Sequence, residues 1–298
     1  MIEERQFRVE SSSELLPYLI GLPLGLSRKE VKDLLRFHLV RVRNKGAVRH
    51  DTNLVTGDLV TITLGKQHGA TMLERHGLTI VHLDDAIAIV DKPAGLLSMG
   101  AEREKERTAH RLLNEHLKAL TKSKMQQAFI VHRLDQDTSG LMIFARSVAI
   151  QTALQSSWKT VTKRYQAIVK GMPVEESGTL KDNLIESKSL RVHRVAQGGE
   201  TAITHYRVIG RYGTNALLEL TLETGRKHQI RVQLAIRGHP IIGDRKYGDR
   251  TDPTRRLALH SSELKLRHPV SGAPIEFRSA LPAQLRKALN ARNGARSS

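Results

Sequence analysis

His132-Arg133-Leu134-Asp135-Gln136-Asp137-Thr138-Ser139-Gly140 runs straight into Leu141-Met142-Ile143-Phe144, and the reading of the rest of the chain follows from it. A carboxylate two residues from an arginine precedes a Thr-Ser-Gly turn, and the turn feeds four apolar residues that read as a buried strand. A tight loop rooted in a buried strand is a place where a reactive side chain is held rigid yet accessible. Taken alone, Asp135 has plainer readings as an Asx-turn aspartate or a structural partner of Arg133. The Asp135-x-Asp137-x-Ser139-Gly140 spacing imitates the opening of an EF-hand loop, but Arg146 stands where that loop needs its glutamate.

The 298 residues give room for two domains, and the formal charge of +18 is spread through both halves. Such an excess implies a polyanionic partner, because Lys and Arg release condensed counterions from phosphate backbones. With no cysteine in the chain, disulfides, cysteine-ligated metals and thiolate nucleophiles are all excluded. Neither Gly-x-x-x-x-Gly-Lys-Ser/Thr nor Gly-x-Gly-x-x-Gly occurs, which argues against nucleotide and dinucleotide chemistry. The histidines (His132, His205 and His228 among them) show no recognised ligand spacing, so no metal and no cofactor are expected. The start of the chain lacks the apolar core of a signal peptide, and no uncharged apolar run is long enough for a bilayer. The expected setting is the cytoplasm, without a membrane partner.

Residues 1–66 read as a separate module. Ser11 with Glu14 and Ser27 with Glu30 have capping-box spacing, and Val31, Leu34, Leu35 and Leu39 then follow at helical spacing. Strand-like runs cover 39–43 and 59–64. Eight Lys/Arg residues fall between Arg28 and Arg49 against only Glu30 and Asp33. Arg28, Lys29, Lys32 and Arg36, followed by Arg41 and Arg43, are the candidate RNA contacts here. Residues 67–78 are polar and glycine-bearing and read as a linker; 79–290 form the main domain, and 291–298 a disordered tail. In the main domain, 86–90 read as a buried strand, 109–120 as an amphipathic helix, and 228–237 as a helix stopped by Gly238 and Pro240. Strands alternate irregularly with helices, which points to an α+β domain.

Two further blocks join Asp135. Leu222-Glu223-Thr224-Gly225-Arg226-Lys227-His228-Gln229-Ile230-Arg231 passes from a strand through a glycine turn into a helix. That helix start suits a phosphate, with Arg226, Lys227, His228 and Gln229 beside it. His228 and Arg231 share a helix face, and either could supply a cation to a buried carboxylate. Lys163-Arg164-Tyr165-Gln166-Ala167-Ile168-Val169 places a tyrosine among basic residues on a strand, a candidate platform for a base, with Lys163 as a further contact.

Together the blocks resemble the RluA family of pseudouridine synthases. The matching segments are Asp91–Gly95, His132–Gly140, Lys163–Val169, Thr224–Arg231 and Gly238–Gly248, in that order. The N-terminal module resembles the S4 RNA-binding domain. The resemblance implies a pseudouridine synthase fold, with a central mixed, mainly antiparallel sheet flanked by helices, plus the small S4-like α/β module. It implies isomerisation of uridine in RNA, ribosomal RNA ahead of transfer RNA, by a monomer needing no cofactor. Asp135 becomes the catalytic carboxylate, acting at C1′ as a nucleophile or on the C2′ proton as a base. Arg133 would fill the gap left by the flipped base, and Tyr165 would stack on the uracil. Arg231 is the first choice to pair with Asp135, with Arg226 second or as a phosphate contact. The alternative is a non-catalytic RNA-binding or ribosome-assembly factor that keeps this fold. Leu97-Ser98-Met99 and Gln233 depart from the family wording, which bears on fine substrate contacts.

Overall fold

A computed structural model describes residues 2–24, 26, 28–36, 40–43, 48, 50–65, 73, 76–100, 107–121, 127–249, 252, 254 and 256–291. The chain divides into two compact units, Met1–Arg75 and His76–Ser298. Most of the expected linker (67–72, 74 and 75) and the tail from 292 lie outside the described residues.

In the first unit the order is β1 (Ile2–Arg8), β2 (Ser13–Glu14), α1 (Leu15–Gly21), α2 (Arg28–Arg36), β3 (Val40–Val42), β4 (Asn53–Leu54) and β5 (Leu59–Gly65). β5 is the centre of an antiparallel sheet ordered β1-β5-β3, and β2 pairs with β4. The helices bury Leu15 and Leu19 of α1 and Val31, Leu34 and Leu35 of α2 against Val40, Val60 and Ile62 of the sheet. That is the stripe expected of α2, apart from Leu39, which lies outside the described residues, as does Ser27. The Ser11 cap needs correcting. Ser13–Glu14 pair as a strand, and α1 starts directly after Glu14, without a side-chain cap.

The second unit contains β6 (Thr79–Leu83), β7 (Ile87–Lys92), α3 (Ala109–Thr121), β8 (Phe129–Ile130), β9 (Ser139–Ala145), α4 (Val148–Ser156), β10 (Thr162–Lys170), β11 (Ser177–Glu186), β12 (Val192–Val195), β13 (Glu200–Tyr212), β14 (Asn215–Leu222), α5 (Gln229–Ala235), β15 (Leu259–Arg267), β16 (Pro274–Arg278) and α6 (Ala283–Ala291). Eleven strands form one sheet, ordered β12-β11-β13-β14-β10-β15-β9-β7-β6, with β16 beside β15 and β8 beside β9. The ladders are antiparallel except where β15 meets β9, His260 opposite Ser139 and Ser261 opposite Gly140. This is the mixed, mainly antiparallel sheet the sequence motifs imply.

β9 is buried along its whole length, as its unbroken apolar run requires of a central strand covered on both faces. Its Leu141 and Ile143 pack with Ile87, Ile89, Leu154 and Leu264. α3 buries Leu112, Leu113 and Leu117 as its spacing predicts. The helix expected over 228–237 is shorter, Gln229–Ala235, because His228 adopts a left-handed backbone (φ 53°) and stands outside it as the cap.

Candidate active site

Asp135 lies on the loop that joins β8 to β9, and backbone geometry fixes that loop before any side chain is considered. The Thr138 amide donates to the Asp135 carbonyl (3.1 Å), closing the turn. Gly140 follows with φ 113°, and a Cβ there would sit 2.2 Å from the Ser261 carbonyl oxygen. Only glycine lets β9 approach β15 this closely.

Two side chains, Lys92 at the end of β7 and Ser98 in the segment after it, hold the loop on either side of Asp135. Lys92 is fully buried, and its ammonium donates to the carbonyls of Pro93 (2.9 Å), Leu96 (2.7 Å) and Gln136 (3.0 Å). Burial draws its pKa down to about 8, with Asp137 and Asp135 pulling the other way. Ser98 Oγ donates to the Leu134 carbonyl (2.6 Å) and accepts the Leu134 amide (3.0 Å). The departure at Leu97-Ser98-Met99 therefore includes a residue that shapes the Asp135 loop.

The carboxylate meets its partners on one side. Arg231 Nη1 donates to Asp135 Oδ2 (3.1 Å), while Arg231 Nε and Nη2 form a fork with Asp244 (2.8 and 2.9 Å). Asp244 also accepts the amides of Lys246 (2.9 Å) and Tyr247 (3.0 Å). Burial opposes charge on Arg231, but the bonds and charges of Asp244 and Asp135 outweigh it and raise the guanidinium pKa. For Asp244, likewise, burial is outweighed by Arg231 and the two amides, and its pKa is lowered. Arg231 is thus a fixed cation whose Nη1 is turned to the loop. Of the two arginines weighed, it is the one that reaches Asp135, since Arg226 pairs with Glu200 (2.5 Å). Asp244 was missed; its Gly-Asp-x-x-Tyr-Gly block was visible, but nothing local announces a partner 13 residues back.

A cleft of about 1230 Å³ runs past Asp135, Arg133, Lys227, Lys246 and Arg256. A smaller pocket of about 90 Å³ opens beside it, where Asp135 and Arg133 face Tyr165, Ile230 and Leu259. Tyr165 is buried, and that burial pushes its phenol up to about 12, so it presents a neutral ring. The structure therefore brings Asp135, Arg133, Tyr165, His228 and Arg231 together.

Among the expected RNA contacts, burial corrects Lys163 and Gln229, while Lys227 and Arg43 stay exposed beside acidic partners. Lys163 alternates onto the buried face of β10 with Tyr165, and its ammonium donates to the Trp158 carbonyl (3.2 Å). Gln229 is buried and turned inward: its Oε1 accepts from the Arg226 amide (2.9 Å) and the Thr224 hydroxyl (2.8 Å). Gln229 thus braces the turn before α5 from within and does not face a substrate. Lys227 pairs with Glu186, and Arg43 makes a fork with Asp58 (2.5 and 2.6 Å). Gln233 is buried among Leu180, Asp182, Ala202 and Thr204, so its departure is structural and does not touch substrate. His132 accepts the Ile143 amide (3.1 Å) and stacks on Trp158, a structural role. On α2, Arg28 and Lys32 are exposed; Arg41 is half-buried on β3. Nothing is described of the Lys29 and Arg36 side chains.

Residues 86–236 match the family model described as RNA pseudouridylate synthase. The chain is 31% identical to ribosomal large subunit pseudouridine synthase D of Haemophilus ducreyi over 314 aligned positions, covering 95% of this chain and 93% of that protein. It is likewise 31% identical to the Escherichia coli K12 protein of that name, covering 87% and 84% of the two chains. Identity reaches 33% with a Bacillus subtilis protein named only as an uncharacterized RNA pseudouridine synthase, with 93% of each chain covered. Among solved structures, human RNA pseudouridylate synthase domain containing 4 superposes with a TM-score of 0.62 at 25% identity, over 75% of this chain and 95% of that one.

Proposed function

The chain belongs to the RluA family of RNA pseudouridine synthases, and from that membership we propose that it isomerises chosen uridines of ribosomal RNA with Asp135 as the catalytic carboxylate. The reaction breaks the N1–C1′ bond, turns the uracil, and joins C5 to C1′. The C5 proton leaves and N1 regains one, so atoms balance without a redox partner.

One observation carries the site assignment: a loop carboxylate, open to a cleft, bonded to a buried arginine that a second aspartate fixes. A fixed cation holds the carboxylate at the wall of the cleft, where either role would place it, attack at C1′ or removal of the C2′ proton. The target must leave its stack, which costs a few kcal/mol and favours unpaired or loop uridines. Arg133, at the mouth of the small pocket, takes the vacated place in the helix. Tyr165 lies against the extruded ring. Lys246 and Arg256 line the cleft where the flanking backbone would run.

Ribosomal RNA is favoured over transfer RNA because the Haemophilus and Escherichia relatives carry large-subunit names. The first unit, with exposed Arg28 and Lys32 on one helix, acts as an S4-like RNA-binding module. We assign the protein to the cytoplasm and to action as a monomer.

The test uses unmodified ribosomal and transfer RNA carrying tritium at uridine C5, with no added cofactor. The wild type is expected to release tritium from ribosomal RNA, and Asp135→Asn to release none while binding RNA with affinity within about threefold of wild type, since only the reacting oxygen is lost. Release from transfer RNA alone would overturn the substrate assignment. Turnover by Asp135→Asn above a few per cent of wild type would remove Asp135 as the reacting group.

A further inference from the structure

His228 stands out because its backbone is strained and its ring meets the carboxylate. It holds a left-handed conformation (φ 53°), which non-glycine residues adopt only where the surroundings enforce it. That turn aims the imidazole into the ion cluster: Nε2 lies 3.8 Å from Asp135 Oδ2, and Nδ1 lies 2.7 Å from the Tyr247 hydroxyl. The Tyr247 oxygen already accepts the Val192 amide (2.9 Å), so its own proton is free to go to His228 Nδ1. With Nδ1 accepting, a neutral ring must carry its hydrogen on Nε2, facing the carboxylate. Burial, the largest influence, holds the ring neutral by drawing its pKa down to about 4, against the pull of Asp135.

Resting on the proposed role of Asp135, we propose that His228 is a positioning residue whose Nε2–H, facing Oδ2 of Asp135 beside the Arg231 Nη1 bond, holds that oxygen to its side of the site and leaves Oδ1 as the oxygen that reacts. Arg231 Nη1 bonds that oxygen at 3.1 Å, and His228 Nε2 faces the same oxygen at 3.8 Å, just beyond hydrogen-bond distance. Among the described residues, Oδ1 has no hydrogen-bond partner. A carboxylate pinned through one oxygen cannot rotate, so Oδ1 meets the ribose in a single orientation. Tyr247 sets the tautomer, and its ring also lies against the Arg231 guanidinium (5.2 Å).

The test compares His228→Gln with His228→Leu. Both carry the same backbone penalty at φ 53°, but only glutamine can present an N–H where Nε2 stands. On the RNA that the wild type modifies, His228→Leu is expected to lose about tenfold or more in kcat with KM nearly unchanged, because the loss falls on the orientation of the reacting carboxylate and not on RNA binding. His228→Gln should keep kcat within about threefold of wild type. Equal kcat in the two variants would overturn the proposal, and a loss confined to KM would make His228 an RNA contact instead. A second readout needs no turnover. The imidazole 15N spectrum of the free protein, assigned by difference from His228→Gln, should show a bare Nδ1 and a protonated Nε2 at pH 7. The opposite tautomer, or a cationic ring, would overturn the assignment even if Asp135 proves catalytic. A wild type inactive on every RNA would instead count against the synthase reading.

Discussion

Arg231 and Arg237, six residues apart, each close a fork on an aspartate, and the two forks have different ends. Arg237 grips Asp182 (2.9 and 3.3 Å), which also accepts from Gln233 (2.9 Å), and Gln233 spends its remaining capacity on Leu180, Ala202 and Thr204. That network is closed. Arg231 grips Asp244 as firmly, yet keeps one N–H for Asp135, whose side chain is 24% exposed at the wall of a cleft. Asp182, by contrast, is 2% exposed. The same chemical grammar gives architecture where both oxygens of the aspartate are taken and a site where one oxygen is left over.

Removing each fork should separate the two roles. Arg231→Met leaves Asp244 buried and unpaired and takes the donor from Asp135. We expect kcat to fall by about a hundredfold or more and unfolding free energy by about 3–5 kcal/mol, read by single-turnover assay and urea titration. A variant that kept wild-type kcat would show the two forks to be equivalent. Asp182→Asn keeps the shape of the closed network and lets the half-exposed Arg237 turn to water. Its cost should be about 1–3 kcal/mol of stability, with kcat within about threefold of wild type. A large drop in kcat without a drop in stability would mean that the closed network also tunes the site.

The last effect is a pH slope. His132, buried against Trp158 with its Nε2 accepting from Ile143, has its pKa drawn down to about 3, chiefly by burial and then by the Lys163 charge. In the unfolded chain the ring takes up its proton near pH 6.5. The unfolded state therefore binds more protons between those values, and stability must fall as pH drops below about 6.5 and keep falling toward about 3. Urea titrations from pH 7.5 to about 4.5 should show this slope, and His132→Gln should make it shallower, leaving the share of His228 and His260, whose pKa values burial also lowers. An unchanged slope would place the proton uptake elsewhere.

What the sequence reveals follows from what local pattern encodes. The Asp135 loop, the buried run of β9, the stripe of α2 and the Tyr165 face of β10 are short-range features, and each is legible from residue order. Lys163, Gln229 and Gln233 illustrate the converse. Polar side chains read as solvent-facing, and their burial depends on carbonyls and hydroxyls supplied by Trp158, Thr224 and Leu180 from other elements. Lys92 is the extreme case, a lysine with no exposed surface whose ligands include Gln136, 44 residues on. β1 was not anticipated because Ile2–Arg8 is charged and lacks clean alternation; pairing with β5 makes it a strand. The S4-like resemblance covered a helix and two strands, and gave no hint that Arg43 would be spent on Asp58.

The parallel joint between β9 and β15 has a consequence for how activity is acquired. Ser139 and His260 meet there across 121 residues, bonded through Oγ and Nδ1 (2.9 Å), and the loop bearing Asp135 ends at this joint. Hairpins such as β13–β14 form from neighbours, but this seam cannot close until most of the unit has been made and ordered. Nascent or partly unfolded chains, although basic and able to cling to RNA, hold no assembled carboxylate. Modification competence and complete folding of the second unit thus arrive together, and a chain still in assembly cannot react with the RNA it touches.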